Sequence, residues 1–131
     1  MSVSISLLYA ALLALLLIVL SIRIVVLRRS HRVGIGDGKV PELKRAIRVH
    51  ANFCEYVPFA LILLMLLDLA PAVSGGVIHA LGGTLLVGRI LHAIGLSQSP
   101  GTSLGRLIGT ALTWLMMLIA AGYGLWLGLA S

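Results

Sequence analysis

The chain has 131 residues, 60% of them hydrophobic and only 11% charged, with a formal net charge of +6 and a mean hydropathy of +1.11. That apolarity excludes a water-soluble globular domain. The positive charge argues against nucleic acid as partner, because the basic stretch 28–44 carries no aromatic side chain on which a base could stack.

Four stretches, near residues 5–27, 46–69, 74–96 and 103–129, are each long enough to cross a bilayer as a helix of about 20 residues. They leave room only for short loops. The expected architecture is an all-α integral membrane protein, one domain spanning 1–131, built as a four-transmembrane-helix up-down bundle. The first stretch is expected to be a retained helix and not a cleaved signal, because residues 1–4 are without a basic side chain and the apolar run is too long.

The loop after it reads Arg28-Arg-Ser-His-Arg-Val-Gly34-Ile-Gly36-Asp-Gly38-Lys39. Alternating glycines suggest a phosphate loop, yet no strand precedes them and the lysine-hydroxyl pair of a Walker motif is missing. A flexible turn lying over anionic headgroups is expected instead. Pro41 followed by Glu42 suits a helix start, so the second helix should begin in water at residue 41 and enter the bilayer around residues 45–50.

Within that helix Arg48, Asn52 and Glu55 are spaced i, i+4, i+7 and share one face. An ionisable group at membrane depth costs at least about 2.5 kcal/mol on insertion scales, so it is normally paired, turned inward and used. Pro58 follows the stripe and should kink the helix or free a carbonyl. Cys54, the single cysteine, excludes an internal disulfide and reads as a small packing residue. Asp68 and His79 flank the short outer turn and are expected to pair across it.

In the third and fourth segments, Ala80, Thr84 and Gly88, the pair Gly105 and Gly109, and the pair Gly124 and Gly128 recur at four-residue spacing. Small residues in register let helix backbones approach closely in lipid. Tyr123 and Trp126 read as an interfacial belt, and Trp114 as a packing residue.

All ten Lys and Arg lie between Arg23 and Arg48 or at Arg89 and Arg106. In an up-down bundle those positions belong to one end, so the positive-inside rule places that end in the cytoplasm and both termini on the other side. Arg23, Arg48, Arg89 and Arg106 then fall at similar depth on four neighbouring helices, with Glu55 the one acid within reach. An ion pair of Glu55 with Arg48 and Arg89 is expected. A cationic pocket with Asn52, Glu55 and Tyr56 suits an anionic, hydrogen-bonding ligand that also carries an amino group. Glutathione meets that description, and the residues do not select it over other anions. No metal-ligand set is expected.

Arg48-x-x-x-Asn52-x-x-Glu55-Tyr56-x-Pro58, followed by Val87-Gly-Arg89-x-x-His92 and by Arg106 opening the last helix, resembles the MAPEG family of membrane-associated proteins in eicosanoid and glutathione metabolism. Length, helix count and motif order match over nearly the whole chain, and the Gly-Asp-Gly loop is most similar to small bacterial members, which implies a bacterial inner membrane. The resemblance implies a homotrimer that binds glutathione as co-substrate between subunits near the cytoplasmic face. By position, Arg48, Asn52, Glu55 and Tyr56 would hold the tripeptide, Arg89 would support it, and Arg106 would stabilise the thiolate as the catalytic residue. The activity implied is a glutathione-dependent transferase or peroxidase acting on a lipophilic electrophile that arrives from the membrane lipids. Where several glutathione-using members have tyrosines, Leu96 and Thr110 stand in this chain.

Three other readings fit parts of the sequence. A non-catalytic lipid-binding or scaffolding protein would share the fold, as one family member does. A b-type cytochrome would use His50 and His92 as axial ligands. A small multidrug exporter would need an embedded acid in the first helix, where this chain has Arg23.

Overall fold

The computed structural model describes residues 2–98 and 104–131, and the side chains at 96–98 are outside that description. Four helices are present: α1 Ser4–His31, α2 Pro41–Leu69, α3 Gly75–Gln98 and α4 Leu104–Ala130. All four are long and apolar enough to cross a membrane. Helices are what such a sequence must form, because a span in hydrocarbon has to satisfy every backbone N–H and C=O within itself.

α1 runs a full turn beyond the expected end at residue 27. The extra turn holds Arg28, Arg29 and His31, and cations suit the negative end of a helix dipole, so the helix continues into the aqueous border after its apolar run ends. It stops at Arg32 in the left-handed conformation, whose N–H caps the Arg28 carbonyl. α2 starts at Pro41 as expected and is helical without interruption through Pro58.

The buried residues of α2 include Phe53, Val57, Ala60, Leu64 and Leu67, alternating steps of four and three. That spacing is the seam of helices packed at a shallow angle. Facing it are Leu13 and Leu20 of α1, Ile78 and Leu85 of α3, and Met116 of α4. Among the described residues α2 and α3 contact one another and both flanking helices, while α1 and α4 do not touch. The bundle therefore has a central pair and two flanks. Both flanks keep outward apolar faces, with Leu15, Val19 and Val26 on α1 and Leu107, Leu118 and Leu125 on α4 all at least half exposed. Such faces need lipid or another protein surface.

The expected small-residue contacts divide. Gly105 and Gly109 form the crossing of α4 with α3: a Cβ at Gly109 would lie 2.5 Å from the Gly88 carbonyl oxygen, and one at Gly105 would lie 3.2 Å from Gly95 Cα. Gly88 is the α3 partner, whereas Ala80 is exposed and Thr84 donates to the Ala80 carbonyl of its own helix, 2.7 Å away. A Cβ added at Gly124 or Gly128 would meet no neighbouring helix within 4 Å among the described residues.

At the end of the bundle opposite the basic one, Asp68 and His79 do not pair with each other. Asp68 Oδ2 accepts from the Ser6 N–H at 2.8 Å, placing a carboxylate on the positive end of α1. His79 Nδ1 lies 2.9 Å from the Tyr9 hydroxyl, and Tyr9 can cross α3 there because Gly82 has no Cβ to overlap its ring. Further residues read in the sequence are placed as follows. Cys54 is exposed rather than packed, Trp114 is 52% exposed, and Tyr123 packs partly against the core while Trp126 stays exposed.

Candidate functional site

The first three turns of α2 present Pro41, Lys44, Arg45, Arg48 and Asn52 along one stripe. This stripe, the loop at 37–40, His92 of α3 and Arg106 of α4 enclose a cavity of about 550 Å³.

The loop holds a defined fold through its own hydrogen bonds. The Arg28 guanidinium donates to the carbonyls of Val33 at 3.3 Å and Gly36 at 2.8 Å. Asp37 Oδ1 accepts from the Lys39 N–H at 2.9 Å, and its carbonyl accepts from Val40 N–H at 2.9 Å. Gly38 has φ 56°, and a Cβ there would meet the Val33 side chain at 2.5 Å. Glycine is therefore required at this position on both counts. The turn carries Asp37 and Lys39 to the cavity wall.

Five cations, Lys39, Lys44, Arg45, Arg48 and Arg106, line the cavity with Asp37 as the one acid on its wall. The Arg48 guanidinium is 3.8 Å from Glu55 Oε1, with both side chains 54% exposed. This realises the expected Arg48–Glu55 pair, but an exposed pair at such a distance contributes little by itself. Glu55 is not part of the cavity wall.

Arg89 departs from expectation. It is 2% exposed and donates from Nη2 to Asn52 Oδ1 at 2.7 Å and from Nη1 to Thr113 Oγ1 at 3.4 Å. Thr113 in turn donates to the Gly109 carbonyl at 2.8 Å, and the guanidinium stands 5.9 Å from the centroid of Phe53. No hydrogen bond or ion pair to Glu55 is formed, because Glu55 faces outward while Arg89 points into the α2–α4 junction. Arg89 thus orients Asn52 for the cavity and ties three helices together without reaching the wall itself.

Tyr56, four residues beyond Asn52, is about 6 Å deeper along the helix. The cavity has ended at that depth, and Tyr56 lines an apolar groove of about 350 Å³ with Phe59, Leu63, Trp114, Met117 and Leu118. Its ring is 6.5 Å from that of Trp114. Arg23 is not at the cavity either: it borders a groove between α1 and α3 with Leu16, Leu20 and Ile94. Of the six expected site residues, Arg48, Asn52 and Arg106 meet at one wall, Arg89 stands behind them, and the other two are off it, Glu55 beside Arg48 and Tyr56 in the apolar groove. Thr110 is half-buried and is not on the cavity wall, and the Leu96 side chain is outside the described residues.

Lys44 and Arg45 were legible as the backward extension of the Arg48 stripe. Asp37 and Lys39 depend on the loop's fold, which no spacing signals. His92 was visible inside the third-helix motif, with a role only in the b-type cytochrome reading. It is 2% exposed, and its Nδ1 has no partner among the described residues, as is true of Arg45 Nε and Arg89 Nε. Two of these three atoms belong to residues on the cavity wall. His50 is engaged elsewhere, with Nε2 3.1 Å from Ser21 Oγ and Nδ1 3.9 Å from Cys54 Sγ, so neither ring nitrogen is offered to His92 for shared haem ligation.

A wall of guanidinium and ammonium groups between helices attracts carboxylates through charge-assisted hydrogen bonds and favours the ionised form of a nearby thiol. Comparison with known proteins agrees with the sequence resemblance. The model of the MAPEG family matches residues 6–126. Inner membrane protein YecN of Escherichia coli strain K12 is 38% identical over 122 residues, 93% of this chain and 91% of the relative. The YecN of Escherichia coli O6:H1 strain CFT073 matches to the same extent.

Proposed function

The chain belongs to the MAPEG family, and on that premise we propose that it is a glutathione-dependent membrane transferase or peroxidase acting on a lipophilic electrophile. The observation that carries the reading is the cavity wall of five cations and one acid at the basic end of the bundle. Its volume of about 550 Å³ lies within the range of roughly 300–1,000 Å³ usual for small-molecule sites. The donor set fits the co-substrate: two carboxylates for Lys44, Arg45 and Arg48, a peptide backbone for Asn52, and a thiol for Arg106.

In this reading Arg106 stabilises the thiolate, whose conjugate acid has a reference pKa near 8.5. Arg89 acts through Asn52. Glu55 and Tyr56 take the ammonium and the rim, where the half exposure of Arg48 and Glu55 leaves an edge for a neighbouring subunit of a homotrimer. The electrophile enters from lipid along the groove of Tyr56 and Trp114, and the sulfur attacks its reactive atom. The relatives' description as inner membrane proteins supports a bacterial inner membrane, with the basic end in the cytoplasm and both termini on the opposite side.

The test is calorimetric titration of the detergent-purified chain with glutathione, followed by conjugation of a hydrophobic aryl halide. Saturable binding with turnover supports the reading. The apolar groove favours a second one, a non-catalytic lipid-binding or scaffolding protein, and lipid binding without glutathione binding would establish it in place of the first.

A further inference from the structure

We propose that the loop at 37–40 reads the C-terminal residue of the co-substrate: Lys39, with Lys44 and Arg45, binds the glycyl carboxylate, and Asp37 accepts the glycyl peptide N–H. The inference rests on the glutathione reading and adds to it the direction in which the tripeptide lies and the residues that measure its length.

The direction follows from the two ends of the site. The γ-glutamyl end of glutathione carries a carboxylate and an ammonium on one carbon, so it needs a cation and an acid side by side. Arg48 and Glu55, 3.8 Å apart, form such a pair at the deeper end of the α2 stripe. The glycyl end carries a carboxylate and, two bonds away, a peptide N–H. It needs several cations around one acceptor and has no ammonium to place. Asp37, Lys39, Lys44 and Arg45 supply that set at the other end of the wall, together with Val40 and Pro41. Those two residues open α2 without a side-chain cap, and the positive end of the helix dipole adds to the attraction for a carboxylate.

The lengths agree. From Pro41 to Arg48 the helix advances about 10 Å. From the glutamyl α-carbon to its terminal carboxylate, glutathione covers about as much as three extended residues, roughly 10–11 Å. A dipeptide covers about 7 Å and stops short of the loop.

The loop is built to hold its groups in place. The Arg28 guanidinium fixes the carbonyls of Val33 and Gly36. Asp37 Oδ1 accepts from the Lys39 N–H at 2.9 Å, so one turn sets both side chains, with Gly38 and Lys39 at φ 56° and 61°. That bond uses one of about four lone-pair sites on the carboxylate. Asp37, half-buried on the wall, therefore keeps the capacity to accept from a ligand. The other charged groups on the wall are cations and only donate. Asn52 is held in the same sense, because its Oδ1 takes the Arg89 N–H and its amide is left to donate. Asp37 is thus the anionic acceptor for a ligand N–H, beside the cations that hold the neighbouring carboxylate.

The test compares glutathione, its glycyl ethyl ester and γ-glutamylcysteine by calorimetry on the full chain, in the wild type, Asp37→Asn and Lys39→Asn. Asparagine at 37 can still accept from the Lys39 N–H, and asparagine at 39 tolerates the left-handed backbone, so both variants keep the turn. The wild type should bind glutathione at least about tenfold more tightly than the ester or the dipeptide, the scale of one charge-assisted hydrogen bond. Each variant should lose about tenfold in glutathione affinity and leave the affinity for γ-glutamylcysteine unchanged. The wild-type ligand series needs no substitution, and glutathione binding no more tightly there than the other two would overturn the proposal. Variants that keep wild-type affinity for glutathione would overturn it as well, and so would variants that weaken the dipeptide as much as the tripeptide, the pattern of a loop with a structural role alone. A wild-type chain that binds none of the three would instead sink the reading beneath it.

Discussion

The two ends of the bundle both bury polar side chains between helices, and they use them in opposite ways. At the end opposite the basic one the polar groups find complements within the chain: Asp68 receives the Ser6 N–H and Tyr9 meets His79. Among the described residues, five cations face one acid at the basic end, and the buried Arg45 Nε and His92 Nδ1 have no partners. Saturated polar groups stabilise a fold. Unsaturated ones, kept at a cost in a membrane protein, mark a place where something else binds.

The comparison is broken or sharpened by substitutions at either end. The largest effect is expected for Arg106→Ala, which should lower turnover of the aryl halide on the order of 100-fold, comparable to loss of one transition-state donor, while glutathione affinity changes less. Retained full activity would remove Arg106 from thiolate stabilisation. Next, Arg48→Ala or Glu55→Ala should weaken glutathione binding by about 1.5–3 kcal/mol if charged hydrogen bonds to the ligand are lost, read by calorimetry. An unchanged affinity in both would detach the stripe from the ligand.

Gly109→Val probes the scaffold that joins α4 to the site. Its side chain would collide with the Gly88 carbonyl oxygen and with His92, so thermal stability should fall by about 1–3 kcal/mol, as for an overpacked core, and glutathione binding should fall with it. The smallest effect is expected at the other end. Tyr9→Phe should cost about 0.5–1.5 kcal/mol of stability and leave glutathione affinity and turnover unaltered. A change in turnover there would show that the outer end is coupled to the chemistry, and the contrast between the ends would fail.

Most of the fold was legible. Apolar runs of the right length must become helices in lipid, and clustering of all ten basic residues gave the bundle one cationic end before any contact was known. The helix period correctly put Arg48 and Asn52 on one wall. The same period put Glu55 on that face, but its side chain pairs with Arg48 off the wall, and Tyr56 lies about 6 Å deeper than Asn52, because the cavity is shallower than the stripe is long. Arg89 was paired with Glu55 by charge, although the amide of Asn52 and the hydroxyl of Thr113 were the groups within reach.

The sequence alone determined four helices, their order, the polarity of the bundle and a family whose motif names the second-helix stripe, since hydrophobicity, charge placement and local period are properties of the chain itself. Tertiary structure decided which charges share a space. Gly88 and Gly109 allow a backbone contact that carries Arg106 to His92, and a loop turned at Gly38 brings Asp37 and Lys39 across to α2. Those neighbours are set by distances between segments far apart in the chain, and no spacing along one helix contains them.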